Sequence, residues 1–311
     1  MGTRDLAVPA LRVIIDRREA GWELVGVVTQ PDRATGRSKQ PVAPPVKALA
    51  AAAGIPVFQP ETWRDEAAVE LLRGLRPDVG VVAAYAQLLP RRVLRIPPAG
   101  WLNIHPSLLP RHRGPSPVAA SILAGDRETG VSIIKLVPAM DAGPIVDQVR
   151  SPIRPDDTTA TLTARLADLG AQRLPAVLDR WVAGSITPRA QDAAAATYSR
   201  LLTRQDGLLD WTRTAVELER QVRAYDAWPG TYTFLEGHRL SVAAAEAVPT
   251  PSSALPGTAL RLDRVAGRPA LLIATGAGQL AAIRLQLEGR RELEAGEFVR
   301  GKAGTIGARL G

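Results

Sequence analysis

Short apolar runs alternate with amphipathic segments through the first 180 or so residues, and that alternation leaves few folds open. Residues 24–28, 56–58, 78–84 and 101–104 read as strands. The segments 45–53 (ended by Gly54), 66–75, 118–124 and 159–183 read as helices. The run 78–84 is apolar almost throughout, as in a strand buried on both faces. Strand-helix alternation of this kind predicts an α/β domain with a doubly wound, mainly parallel, Rossmann-like sheet. Such a domain should open on a strand. Here Met1–Asp5 runs directly into a helical pattern with Val8, Leu11, Ile14 and Ile15 on one face, and Gly2-Thr3 reads as the turn before it. The first strand is therefore expected to be missing, leaving unpaired edges on both of its neighbours.

The chemistry concentrates in Trp101-Leu-Asn-Ile-His-Pro-Ser-Leu-Leu-Pro-Arg-His-Arg-Gly114 and, some thirty residues on, Asp141-Ala-Gly-Pro144. Asn103 and His105 are two residues apart on a strand and so share a face. Pro106 and Pro110 then force the backbone into a rigid loop. Asp141 follows a second strand-like run, 131–137. An amide, an imidazole and a carboxylate at converging strand ends suit a reaction that needs an oxyanion donor, a proton acceptor and an orienting group.

These residues resemble the signature of the folate-dependent formyltransferases, Asn-x-His-x-Ser-Leu-Leu-Pro with a distant Asp-x-Gly. The resemblance implies 10-formyltetrahydrofolate as co-substrate, no metal, and catalysis by Asn103, His105 and Asp141. It also implies a folate pocket lined by Ser107, Leu108, Leu109 and Pro110. The formyl group would pass directly to an amine. Asn103 and a protonated His105 would donate to the oxyanion, and Asp141 would orient the imidazole. Gln30-Pro-Asp-Arg33 and Gly36-Arg37 resemble a basic loop of those family members that act on initiator methionyl-tRNA, which implies tRNA contacts from Arg33, Arg37 and Lys39. Three positions depart from the family pattern: Ala86 and Pro106 stand where Gly is common, and His112 where an aromatic residue is usual.

Residues 187–203, with Pro188 and four consecutive alanines, read as a linker. Beyond it, a helix at 215–224 and short strands at 240–243, 257–262, 270–274 and 279–287 predict a small β-barrel. Asp210-Trp211, Trp228-Pro-Gly230 and Phe298-Val-Arg-Gly301 resemble landmarks of the family's OB-like, tRNA-binding second domain. The expected division is a catalytic domain at 1–186, a linker at 187–203 and the OB-like domain at 204–311. Gly276-Ala-Gly278 is a turn, since no helix follows to make it a phosphate loop, and His238 sits beside a hairpin turn with no assigned role.

Composition narrows the partners. The absence of cysteine excludes disulfides and thiolate chemistry, and three histidines (105, 112 and 238) argue against a His-rich metal site. No apolar run approaches the roughly 18 residues that span a bilayer, so a cytoplasmic location is expected; a monomer is the expected state, although the sequence leaves oligomerisation open. A net charge of +8 favours polyanions such as RNA. Two other readings stand beside the tRNA one. The chain could formylate a different amine (glycinamide ribonucleotide or an amino-sugar), or be a non-catalytic RNA-binding remnant; the intact Asn, His and Asp set argues against the remnant.

Overall fold

The computed structural model describes residues 1–18, 21–34 and 40–311. They form two compact units: Met1–Pro117, Arg127–Ile153 and Thr161–Arg200 in one, and Val118–Asp126, Arg154–Ala160 and Leu201–Gly311 in the other.

In the first unit a 3₁₀ turn leads into α1 (Val8–Asp16), with Pro9 in the first turn, where its missing N–H costs nothing. β1 (Val27–Val28) follows, then β2 (Arg33–Ala34) and β3 (Pro41–Val42), which pair antiparallel as the base of a hairpin. α2 (Pro45–Ala52) ends before Gly54, whose φ of +67° turns the chain toward β4 (Val57–Phe58). In α3 (Glu66–Gly74) the Asp65 side chain caps the Ala67 N–H at 3.0 Å. β5 (Gly80–Val82), the short α4 (Arg91–Leu94) and β6 (Trp101–His105) come next. After α5 (Pro117–Ala124), most of which belongs to the second unit, β7 (Glu128–Lys135) and β8 (Ile145–Pro152) form a hairpin. α6 (Thr159–Val182) is a single helix of 24 residues. Its buried stripe of Leu162, Leu166, Gly170, Leu174 and Leu178 recurs every fourth residue, and at Gly170 an added Cβ would lie 2.7 Å from Ile104 of β6.

β1 pairs parallel with β4, and β5 with β6. β6 to β7 and β7 to β8 are antiparallel, with His105 opposite Ser132 and Val131 opposite Val149. The parallel arrangement therefore gives way to an antiparallel edge. The link from Lys135 to Ile145 is a hairpin loop, too short for the crossover helix a parallel pair needs.

The slot of the first strand holds Met1 and Gly2. Gly2 N donates to Val28 O (3.0 Å), Ala83 N donates to Met1 O (2.9 Å), and the Met1 amine donates to Val81 O. Burial holds that amine down to about 5. Next to these two residues lies a cavity of about 880 Å³, lined by Leu11, Ile14, Val25, Val79 and Leu178. The strands expected at 24–28 and 78–84 are observed as Val27–Val28, paired with Val57–Phe58, and Gly80–Val82, paired with residues 101–103.

The second unit holds α7 (Ala215–Ala224), β9 (Tyr232–Leu235), β10 (His238–Val248), β11 (Ala259–Val265), β12 (Arg268–Ala274), β13 (Gln279–Leu287), β14 (Leu293–Glu294) and α8 (Ala295–Gly301). The sheet runs β11-β12-β13-β10-β9, antiparallel throughout, with β14 on β13. A register shift near Ala244 bends β10 over a core of Leu218, Val222, Leu240, Leu271, Leu280 and Phe298. Thr214 and Glu217 cap α7 reciprocally, and the Thr214 N–H and hydroxyl hold the Glu217 carboxyl down to about 2. Among the described residues no helix is long and apolar enough to cross a membrane.

Candidate active site

β6 presents Asn103 and His105 on one face, as its period of two requires. His105 is 4% exposed. Its Nε2 lies 3.0 Å from the carbonyl of His112, which can only accept, so Nε2 carries a proton. That leaves Nδ1 facing the Asp141 carboxylate, 3.6 Å from Oδ2. Asp141 sits in the β7–β8 loop with a φ of +48°. Its Oδ2 accepts from the Gly114 N–H at 2.8 Å, and its Oδ1 lies 3.5 Å from Asn103 Nδ2. The structure thus brings the amide, imidazole and carboxylate together from two segments, β6 and the β7–β8 loop.

Burial pushes the His105 imidazole below its ordinary value, outweighing the Asp141 carboxylate and the His112 carbonyl, which pull it up. The resting ring is therefore neutral at pH 7. The buried environment thus favours the neutral ring over the protonated imidazole expected from the sequence. His112, buried at a φ of +57°, acts through its backbone carbonyl, which fixes the His105 tautomer.

Ser107 to Pro110 form the wall beside this group. The Ser107 hydroxyl is buried and donates to Arg111 O at 2.7 Å, and the Leu109 side chain packs with Ile134 and Ile145. Ser132 Oγ ties the wall down by accepting from Leu109 N (3.0 Å) and donating to Ser107 O (2.7 Å). These two side chains hold the loop's shape, while Leu108 and Pro110 are the half-buried members. Nearby, the Tyr85 carbonyl accepts from Thr3 Oγ1 and from Gln30 Nε2, both at 3.2 Å, and so joins three loops. Ala86 takes a φ of +66°, the conformation that explains Gly at this position in the pattern.

Arg33 is exposed on β2. Asp32, just before it, accepts from Lys47 Nζ (2.7 Å) and Gln59 Nε2 (2.6 Å) and anchors the hairpin base. Arg37 and Lys39 lie outside the described residues.

Sequence reasoning missed one group. Residues 189–199 run along the site: Arg189 and Ile145 exchange two backbone hydrogen bonds, and Arg113 N donates to Thr197 O at 2.9 Å. Gln191 reaches the Asp141 turn itself. A stretch dominated by alanine and polar residues has no apolar periodicity, so its only signal was the Arg113-Gly114 pair it packs against.

Residues 9–178 match the family model for formyl transferases, and residues 201–303 match that for the formyl transferase C-terminal domain. A methionyl-tRNA formyltransferase of Roseiflexus castenholzii is 50% identical over 313 residues, covering 100% of this chain and 97% of its own. That of Geobacter sulfurreducens is 41% identical, covering 100% and 95%. In fold, the chain is similar to the N-formyltransferase from Helicobacter canadensis solved with folinic acid and dTDP-3-aminofucose (TM-score 0.62, 16% identity, 90% of this chain and 96% of that one). It is also similar to WlaRD, a sugar 3N-formyl transferase (TM-score 0.64, 16% identity, 93% and 97%). With both halves matched end to end at this level of identity, the chain belongs to the methionyl-tRNA formyltransferase family.

Proposed function

We propose that this protein transfers the formyl group of 10-formyltetrahydrofolate to the free α-amine of initiator methionyl-tRNA. One observation carries the reading: identity of 50% extends over the whole chain, second unit included, to a relative of that activity. The Asn103, His105 and Asp141 cluster supplies the groups such a transfer needs. We assign catalysis to residues 1–186 and tRNA binding to the domain at 204–311, with further tRNA contacts from Arg33, Arg37 and Lys39. The protein works as a cytoplasmic monomer.

In this reading the amine nitrogen attacks the formyl carbon, and the carbonyl oxygen gains the negative charge. Asn103 Nδ2 has a second N–H beyond its long contact with Asp141, and donates it to that oxyanion. The attacking nitrogen becomes positive and loses its proton to His105 Nδ1, the unprotonated ring nitrogen beside Asp141. Asp141 stabilises the imidazolium by its opposite charge. The carbon–nitrogen bond to the folate then breaks, and the proton passes from His105 to the departing nitrogen. Leu108 and Pro110 line the folate pocket, with Ser107 and Leu109 holding the loop in shape.

The test is formyl transfer from 10-formyltetrahydrofolate to initiator methionyl-tRNA, with glycinamide ribonucleotide as competing acceptor. Transfer to the tRNA alone is expected. Transfer to the competitor instead, or to neither, overturns the reading. Asn103→Ala is expected to lower kcat by ~10²–10³, as loss of one oxyanion donor does. His105→Ala and Asp141→Ala are expected to lose turnover while tRNA still binds.

A further inference from the structure

Asp141 adopts a left-handed backbone, so its surroundings must hold it there. Its side chain alone cannot do so, since that side chain is engaged with His105, Asn103 and Gly114. The main chain of the turn is held by Gln191. The Gln191 amide Nε2 donates to the carbonyls of Asp141 and Gly143, both at 2.7 Å, bracketing the turn. Gln191 Oε1 accepts from Arg113 Nε (3.0 Å) and Nη2 (2.8 Å). This network fixes the amide's orientation. Turned over, it would set its N–H groups against a guanidinium and its oxygen against two carbonyls.

Arg113 is buried, lies 5.9 Å from the Tyr198 ring centroid and donates to the Tyr198 hydroxyl at 3.3 Å. Its backbone is held as well, by Thr197 O below and Ser199 N above. The guanidinium is thus a fixed two-pronged donor, and Gln191 joins it to the Asp141 turn.

We propose that Gln191, locked by Arg113, is the positioning residue that keeps the Asp141 carboxylate at His105 and Gly114. The inference rests on the reading of Asp141 as catalytic. Neither Gln191 nor Arg113 touches the reacting atoms; both act through the turn. Hydrogen-bond partners that orient metal ligands carry about 10- to 100-fold in activity, and a loss on that scale is expected here.

The experiment is a double-mutant cycle on kcat and KM, using Gln191→Ala, the isosteric Gln191→Glu, Asp141→Asn and the two combinations with Asp141→Asn. Gln191→Ala is expected to lower kcat 10- to 100-fold, with KM for the folate and for the tRNA changed less than about twofold. Gln191→Glu is expected to lose kcat similarly, because it faces two carbonyl oxygens without an N–H. In the Asp141→Asn background either substitution should cost less than about twofold more, since the carboxylate they position is gone. Should Gln191→Ala fail to fold, the glutamate variant carries the cycle. Wild-type kcat in both Gln191 variants, with Asp141→Asn strongly impaired but measurable, overturns the positioning role alone. So does a full, independent loss in the Asp141→Asn background. Wild-type kcat in Asp141→Asn overturns the catalytic reading, and the positioning role falls with it.

Discussion

In the proposed reaction His105 is the proton acceptor, and its burial sets a pH dependence with a definite sign. A folded-state value below the ordinary 6.5 means that the unfolded chain binds this proton more readily than the folded one. The stability it contributes is complete above about 6.5 and is lost as pH falls from there through the folded value. Replacing His105 by Gln, which does not titrate, should flatten that part of the stability curve, measured as unfolding free energy at several pH values. The same shift governs turnover. Because Nδ1 must be empty to accept a proton, kcat should hold level through pH 7 and decline only below 6.5. The Asp141 carboxylate pulls His105 upward, so the residual activity of Asp141→Asn should show its acid decline at still lower pH. A decline moved to higher pH would remove Asp141 from its electrostatic role. Asn103, His105 and Asp141 were legible because strand period and turn chemistry place them without reference to the rest of the fold. The carbonyl of His112 was not, since a backbone group leaves no trace in residue identity.

Among the elements, the β7–β8 hairpin explains the spacing in Asp-x-Gly. Lys135 N donates to Pro144 O at 3.0 Å, closing the loop that carries Asp141. Gly143 lies directly against this closure: an added Cβ would fall 1.7 Å from Lys135 O, a backbone atom that cannot step aside. Gly143→Ala should therefore break the loop closure and displace Asp141. We expect a loss of about 2 kcal/mol or more in unfolding free energy, together with a kcat far below that of the native protein. Wild-type stability in this variant would show that the loop tolerates the insertion. Sequence patterning gave the apolar run at 131–137 but not its direction, because an apolar strand reads alike whether paired parallel or antiparallel. The edge elements β9 and β14 were also missed, being four and two residues long and too short to show a period. The segment at 187–203 reads as a linker for want of periodicity, yet residues 189–199 supply Gln191 and the backbone partners of Arg113.

For the whole molecule, net charge sets how the tRNA is held. A charge of +8 favours a polyanion at long range, but the term is screened within about 8 Å at physiological salt, so binding must come from particular cations close to phosphates. The charge is carried almost entirely by arginine, since lysine occurs four times. Arg33 is exposed at the base of the β2–β3 hairpin, which Asp32 ties to Lys47 and Gln59. That anchoring reduces the entropy lost when the hairpin meets a ligand. KM for the tRNA should therefore rise steeply with salt while KM for the folate changes little. Arg33→Ala should weaken tRNA binding severalfold and reduce the slope of log affinity against log salt by about one, the signature of one lost phosphate contact. An unchanged slope, with affinity lost, would mean that Arg33 contributes through hairpin structure rather than charge. An unchanged affinity would move the phosphate contacts to other arginines, leaving the hairpin base as scaffold alone.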